Sequence, residues 1–402
     1  MRPSFEEDKS LQPMRGKVGK AFSVIILITL ASASMAGDGA GAGVFDFSAH
    51  WRQPIPPQGS PPEGFSEIEK SLRPEDCGQC HADQLHDWSQ SRHAASMGAG
   101  VAGQLSPPWL DEESIESCLD CHAPLSEQRK YARNHDGEYI KNPISQKTLA
   151  SKGLTCAGCH VRRHVRYGPK TNKPLDTPLP HSGFVEVENF GAAEFCKPCH
   201  QFESGGRRVA GKLLEDTYEQ WRSSEYSKKG VKCADCHMPN RRHQWKGIHD
   251  PETVKAGVAV NASLRGATAT VTVGNKGVGH YFPTYVTPQV VVRAIYSSNG
   301  KSEIVGEKWI GWNVSLDLED ELYDTRIPPG QTARYEFHLE RKASPGTLEI
   351  VVIVYPDEFY GRLYKSLFDA PPKGINLPLI KEAYRESGKS RYTLFKKTWR
   401  LP

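Results

Sequence analysis

A five-residue pattern that recurs five times and uses every cysteine constrains this chain most. It reads Cys77-Gly-Gln-Cys80-His81, Cys118-Leu-Asp-Cys121-His122, Cys156-Ala-Gly-Cys159-His160, Cys196-Lys-Pro-Cys199-His200 and Cys233-Ala-Asp-Cys236-His237, and it accounts for all ten cysteines. Each copy is C-x-x-C-H. On one helical turn the two thiols reach the two vinyl groups of one porphyrin edge, and the adjacent histidine swings beneath the iron as its proximal ligand. Disulfides and zinc sites also use paired cysteines, but neither calls for a histidine after every pair. The pattern therefore predicts five covalently bound c-type haems (iron), with His81, His122, His160, His200 and His237 as proximal ligands.

Five porphyrins tethered between Cys77 and His237 sit close together, because a compact globule of that length has a radius of gyration of about 15 Å. They also stand in for side chains as core, in keeping with a hydrophobic fraction of only 38% over 402 residues. The N-terminus reads as a secretory signal over residues 1–36. Arg15, Lys17 and Lys20 precede the apolar run AFSVIILITLASA, and the small residues of SMA lie ahead of Gly37. Acidic residues before Met14 make Met14 the expected true start. The run is short for a membrane span and no later apolar run is long enough to cross a bilayer, so the mature protein is expected to be periplasmic or extracellular.

Each iron has a second axial face. Fifteen histidines leave ten beyond the five proximal ones, against five methionines in all, so the supply favours bis-histidine iron, low-spin and low in potential. By position, the distal candidates are His181 in LPHSGF before the fourth motif, His243 and His249 in RRHQWKGIHD after the fifth, and His280 in GHYFPT. His164, His86 and His135 are weaker candidates. His50 and His338 read as surface residues.

WSQSRH at Trp88–His93 aligns with WRSSEY at Trp221–Tyr226. C-x-x-C-H followed by W-x-x-S-x-H-A, with TCAGCHVRRHVRYGP, FCKPCHQF, WRSSEYSKKGVKCADCHMP and GHYFPT, resembles the multihaem cytochrome family that includes the tetrahaem electron acceptor of hydroxylamine oxidoreductase. The resemblance runs from Glu75 to Thr284 and rests on short motifs. It implies that His93 is a distal ligand, to an iron other than the one held by His81. The second copy has Tyr226 in place of that histidine, either as a packing residue or beside an iron with an unusual face.

Arginines cluster at VRRHVRYGPK, Arg207–Arg208 and Arg241–Arg242, as solvated charge or as partners for haem propionates. The net charge is +4, and five haems bring about ten propionate charges, so the loaded protein is acidic and no nucleic-acid partner is expected.

After Asp250 the texture changes. VAVNASLRGATATVTVGNKG, QVVVRAIYSSNGK, TARYEFHLE and TLEIVVIVYP alternate with period two between turn signals, and Asn-Gly marks a hairpin. The reading is a mixed fold: a mainly α/irregular multihaem domain over residues 37–253, an all-β immunoglobulin-like sandwich over 254–356, and a C-terminal helical tail over 357–402, broken near SGKS, that packs back on the body. GHYFPT would carry His280 from the sandwich into the haem domain and lock the two together.

The favoured function is electron transfer between redox partners, another redox protein or a quinol-oxidising membrane complex, without bond chemistry in the chain itself. The alternatives are a reductase or oxidase of small nitrogen or sulfur compounds with one open haem, or a subunit of an extracellular haem filament or membrane redox complex, for which homo-oligomers are possible.

Overall fold

The computed structural model describes residues 45–171, 181, 183–339 and 345–402; the expected leader lies outside them. Residues 45 onward form one unit. Four of the five motifs fall in helices: Glu112–His122, Cys156–His160, Lys197–His200 and Cys233–His237. The first lies in the turn between helices Pro74–Cys77 and Ala82–Ser89. Two of the motif helices start where the sequence supplies a cap. The Asp111 side chain accepts from Ser114 N at 2.7 Å, and Thr155 Oγ1 accepts from Gly158 N. Between the motifs the chain is mostly loop and short strand. A small apolar cluster of Trp51, Ile55, Leu72, Leu125, Leu149, Leu154, Ala157 and Val161 packs around the third motif.

From Val258 the period-two pattern becomes sheet. The strands are β1 (Val258–Arg265), β2 (Thr268–Asn275), β3 (Gln289–Ser298), β4 (Lys301–Val314), β5 (Glu321–Asp324), β6 (Thr332–His338), β7 (Gly346–Tyr355) and β8 (Tyr392–Leu401). Two antiparallel sheets result, of order β5-β4-β3-β7-β8 and β6-β2-β1. Their inner faces share one core, with Val271, Val273 and Phe337 from the smaller sheet and Val290, Val292, Ile310, Ile350 and Val352 from the larger. The β3–β4 hairpin turns at Asn299-Gly300, where both residues have positive φ, 52° and 73°. Only Asn and Gly enter that region cheaply, and a type I′ turn requires it.

The tail differs from the expected helix. Helices Glu358–Asp369 and Leu377–Lys389 pack on each other through Tyr364, Leu367, Ile380 and Ala383. They dock on the haem-bearing part, where Asn376 N donates to Gly103 O at 3.1 Å and Ser106 Oγ donates to Gly374 O. After Ser390 the chain turns to strand. β8 completes the larger sheet along β7, with Leu394 buried in the shared core. Tyr, Thr, Phe, Thr and Trp in YTLFKKTWRL suit a half-buried pleated edge better than a helix.

Candidate haem-binding core

Two imidazoles that ligate one iron from opposite sides have ring centres about 6.3 Å apart, given metal–nitrogen bonds of about 2.0–2.1 Å. Three proximal histidines have a facing imidazole at this spacing. His93 stands 6.3 Å from His200 with ring planes 50° apart, His243 stands 6.2 Å from His160 at 37°, and His280 stands 6.2 Å from His237 at 7°. Histidines from remote stretches of the chain are thus held too far apart for contact and at the distance an iron fills. These pairs, with the thiols beside them, fit a haem and would hold it.

Five of these six rings are also held in the right protonation state. Burial, then the neighbouring His200 and His237, hold His93 down to about 3. Burial likewise holds His160 and His280 at about 4, and lowers His237 and His243. All are neutral near pH 7, with a lone pair free for a metal. Several are turned by an outer contact that leaves Nε2 for the iron. Nδ1 donates to Ser96 O from His122 at 2.6 Å, to Tyr167 O from His160 at 2.8 Å, to Lys246 O from His237 at 2.6 Å and to Tyr281 O from His280 at 2.8 Å.

The Trp-x-x-Ser repeat has one local structure in both copies. Ser91 Oγ donates to Trp88 O and Ser224 Oγ to Trp221 O, each at 2.7 Å. Trp88 Nε1 donates to Leu154 O at 2.8 Å, and Trp221 Nε1 donates to Val231 O at 2.9 Å. Each acceptor lies two residues before a C-x-x-C-H motif, so each tryptophan anchors the motif that follows it in space. The copies then diverge. The first supplies the imidazole itself, His93. In the second, Tyr226 donates its hydroxyl to Lys276 O at 2.7 Å and packs with Trp221 against Gly279, the residue before His280. Tyr226 therefore supports the loop that carries the imidazole. Gln220 pins the same loop through Tyr281 N at 3.0 Å and Thr284 Oγ1 at 2.9 Å, and Asn275 holds His280 O at 2.8 Å.

Thiol contacts relate the motifs to one another. Cys77 is within hydrogen-bonding reach of Cys156, Cys121 of Cys199, and Cys196 of Cys233. Cys159 lies close enough to both Cys196 and Cys199 to act on them electrostatically. The fourth motif thus borders the second, third and fifth, and the first borders the third.

For His81 and His122 no facing imidazole at this spacing occurs among the described residues. His181 donates from Nδ1 to Gly183 O at 2.8 Å, the same outer contact the ligand-like histidines make, and its backbone N donates to Glu69 at 2.7 Å. Arg166 bonds Glu69 O and lies near Cys77, which brings His181 to the neighbourhood of the first motif. His249 is not brought into a pair: its Nε2 lies 3.0 Å from Asp357 Oδ1. The Arg92 guanidinium stands 3.9 Å from the same carboxylate. Tyr285, Tyr360 and Tyr364 lie in the field of Asp357 and Arg92, and Tyr360 in that of Cys118. Burial raises all three phenols, Tyr360 included.

His50, expected at the surface, is 5% exposed and bonds Cys159 O at 2.8 Å within a nest of aromatic rings. His164 is also buried, beside Gly59 O, whereas His86, His135 and His338 are exposed. The arginine clusters have protein partners. Arg162 caps the carbonyls of the third motif helix, donating to Gly158 O at 2.9 Å, and Arg207 reaches Asp317 O. Arg241 reaches Lys170 O, and Arg242 forks onto Asp87. Asp87 was not legible in the sequence as part of the site, since its partners lie more than 150 residues away.

Comparison with known proteins points to the same cofactor. Residues 66–254 match the family model of cytochrome c552. Two curated relatives, both described as cytochrome c-552, come from Aliarcobacter butzleri, 28% identical over 41% of this chain and 35% of its own length, and from Desulfotalea psychrophila, 26% identical over 31% and 27%. The chain therefore spans about a third of the length of the curated relatives it matches. In fold, the chain is similar to a penta-heme cytochrome c552 from Thermochromatium tepidum, with a TM-score of 0.57 and 15% identity over 84% of this chain and all of that one. With its five attachment motifs, the chain is a multihaem c-type cytochrome.

Proposed function

We propose that the chain carries electrons through five covalently held haems outside the cytoplasm, between a donor and an acceptor that are themselves redox proteins or a quinol-oxidising membrane complex. The observation that carries this reading is the set of three imidazole pairs at 6.2–6.3 Å. An iron capped on both sides takes up and releases electrons without binding a substrate. In this reading His93, His243 and His280 cap the fourth, third and fifth haems, and His181 caps the first. The thiol contacts then supply the order of exchange: first to third to fourth, with the second and fifth branching from the fourth. His249 drops out of the distal set because Asp357 engages it.

A second reading concerns the second haem alone. Tyr360, in the field of Cys118 on its attachment helix, shares the field of Arg92 and Asp357 with Tyr285 and Tyr364, and His249 pairs with Asp357. A cation, an imidazole and hydroxyl donors at an iron without a second imidazole suit a small polar ligand, the arrangement that a reductase or oxidase of small nitrogen or sulfur compounds would use. Paramagnetic resonance of the oxidised protein tests both readings. The carrier reading gives low-spin signals from the capped irons, and His280→Ala converts one of them to high-spin. A high-spin signal in the unaltered protein that cyanide shifts, and that Arg92→Gln and His249→Gln alter, supports the second reading. Low-spin signals unchanged by His93→Ala, His243→Ala and His280→Ala would overturn the ligand assignment.

A further inference from the structure

Five consecutive residues after the last motif, Arg242–Lys246, reach four of the five motifs. Arg242 Nε and Nη2 each contact Asp87 at 2.5 Å, and Asp87 is buried on the helix that follows the first motif. The His243 ring faces His160 of the third. Trp245 meets the His93 ring, which faces the fourth, and Lys246 O accepts from His237 Nδ1 of the fifth.

Within this segment Trp245 stands apart. Its indole packs edge-to-face on His93, with ring centres 4.7 Å apart and planes at 65°, and on His243 at 5.4 Å and 87°. Its backbone sits in the left-handed region at φ 43°, which a bulky residue adopts only where the surroundings demand it. The two imidazoles it touches also lack the outer contact that turns His122, His160, His237 and His280. Nδ1 of His93 and of His243 are both buried without a hydrogen-bond partner, the Arg241 carbonyl near His243 lying outside hydrogen-bonding geometry. Where no hydrogen bond fixes a ligand ring, packing must.

We propose that Trp245 is a positioning residue that fixes the ring orientations of His93 and His243 together, so that one indole sets the axial geometry of the third and fourth haems. This rests on the ligand reading above. The angle between axial imidazole planes governs the g anisotropy of low-spin ferric iron, so the effect is visible without any activity. In the oxidised holoprotein, Trp245→Leu shifts two low-spin signals, the ones lost in His93→Met and in His243→Met. It leaves the signal of the His237–His280 iron in place, and Trp245→Phe shifts the same two signals by less. If neither signal moves, if only one moves, or if all move alike, the proposal is overturned. Should the Leu variant mature without its full haem content, the Phe variant is read by the same criterion. Failure of the ligand reading is separate, since His93→Met and His243→Met would then leave the low-spin spectrum unchanged whatever the tryptophan variants do.

Discussion

Single residues place the imidazoles, and the least conspicuous of them is a glycine. Gly153 has φ 68°, and a Cβ there would sit 2.5 Å from His93 O and 2.8 Å from Ala94 O, both rigid backbone. Only a residue without a side chain lets the turn bearing His93 settle on the approach to the third motif. Gly153→Ala is expected to cost about 1–3 kcal/mol and to perturb the fourth iron. Thermal unfolding and the low-spin spectrum measure both, and an unchanged midpoint contradicts the expectation. Trp88→Phe leaves the Leu154 carbonyl without its donor, at about 1–3 kcal/mol, and should lower the unfolding midpoint. Tyr226→Phe removes only the bond to Lys276 O. It should leave every iron low-spin or high-spin as before; a change of spin state would put Tyr226 at an iron after all. The sequence made the proximal histidines legible because the motif is local. It left the pairing of distal histidines open because His93 and His200 meet across a path no spacing encodes. The burial of His50 had no sequence signal either, as its nest is assembled from residues up to Phe195.

Among the elements, the strands announced themselves. β1 alternates buried and exposed along its length, the period-two pattern read from VAVNASLR. β8 did not, because a register shift opposite Val352 and Ile353 sets both Leu394 and Phe395 against the core and leaves residues 396–398 exposed, so the strand does not alternate. The sheets are tied to the haem-bearing part by charge as well as by the His280 loop. Lys212 reaches Glu321 at 2.5 Å and Asp324 at 2.7 Å, and Arg326 reaches Asp324 at 2.8 Å. Burial pushes the Asp324 carboxyl up, but Arg326 and Lys212 together outweigh it and hold it at about 2. A carboxylate depressed in the folded state stabilises above its unfolded value of about 3.9 and loses that contribution as pH falls toward 2, here roughly 2 kcal/mol. Asp324→Asn should therefore flatten acid unfolding between about pH 4 and pH 2. An acid profile identical to that of the unaltered protein would show that the cluster does not couple to folding.

At the scale of the whole molecule, five haems would supply core to the motif-bearing part and reverse the sign of the net charge. The apolar clusters among the described residues concentrate in the sheets, the tail and one patch around the third motif, and much of the haem-bearing part is built from short elements around imidazoles and thiols. The polypeptide carries a net charge of +4, yet about ten propionates should bring the loaded protein below pI 7; isoelectric focusing at or above neutrality would mean fewer haems or protonated propionates. The most direct test of the account is the haem count of purified, matured protein, from its intact mass under denaturing conditions together with its pyridine haemochrome spectrum. The account predicts five haems that remain attached through thioether bonds. A polypeptide that sheds its haem on denaturation, or retains fewer than five, would contradict it.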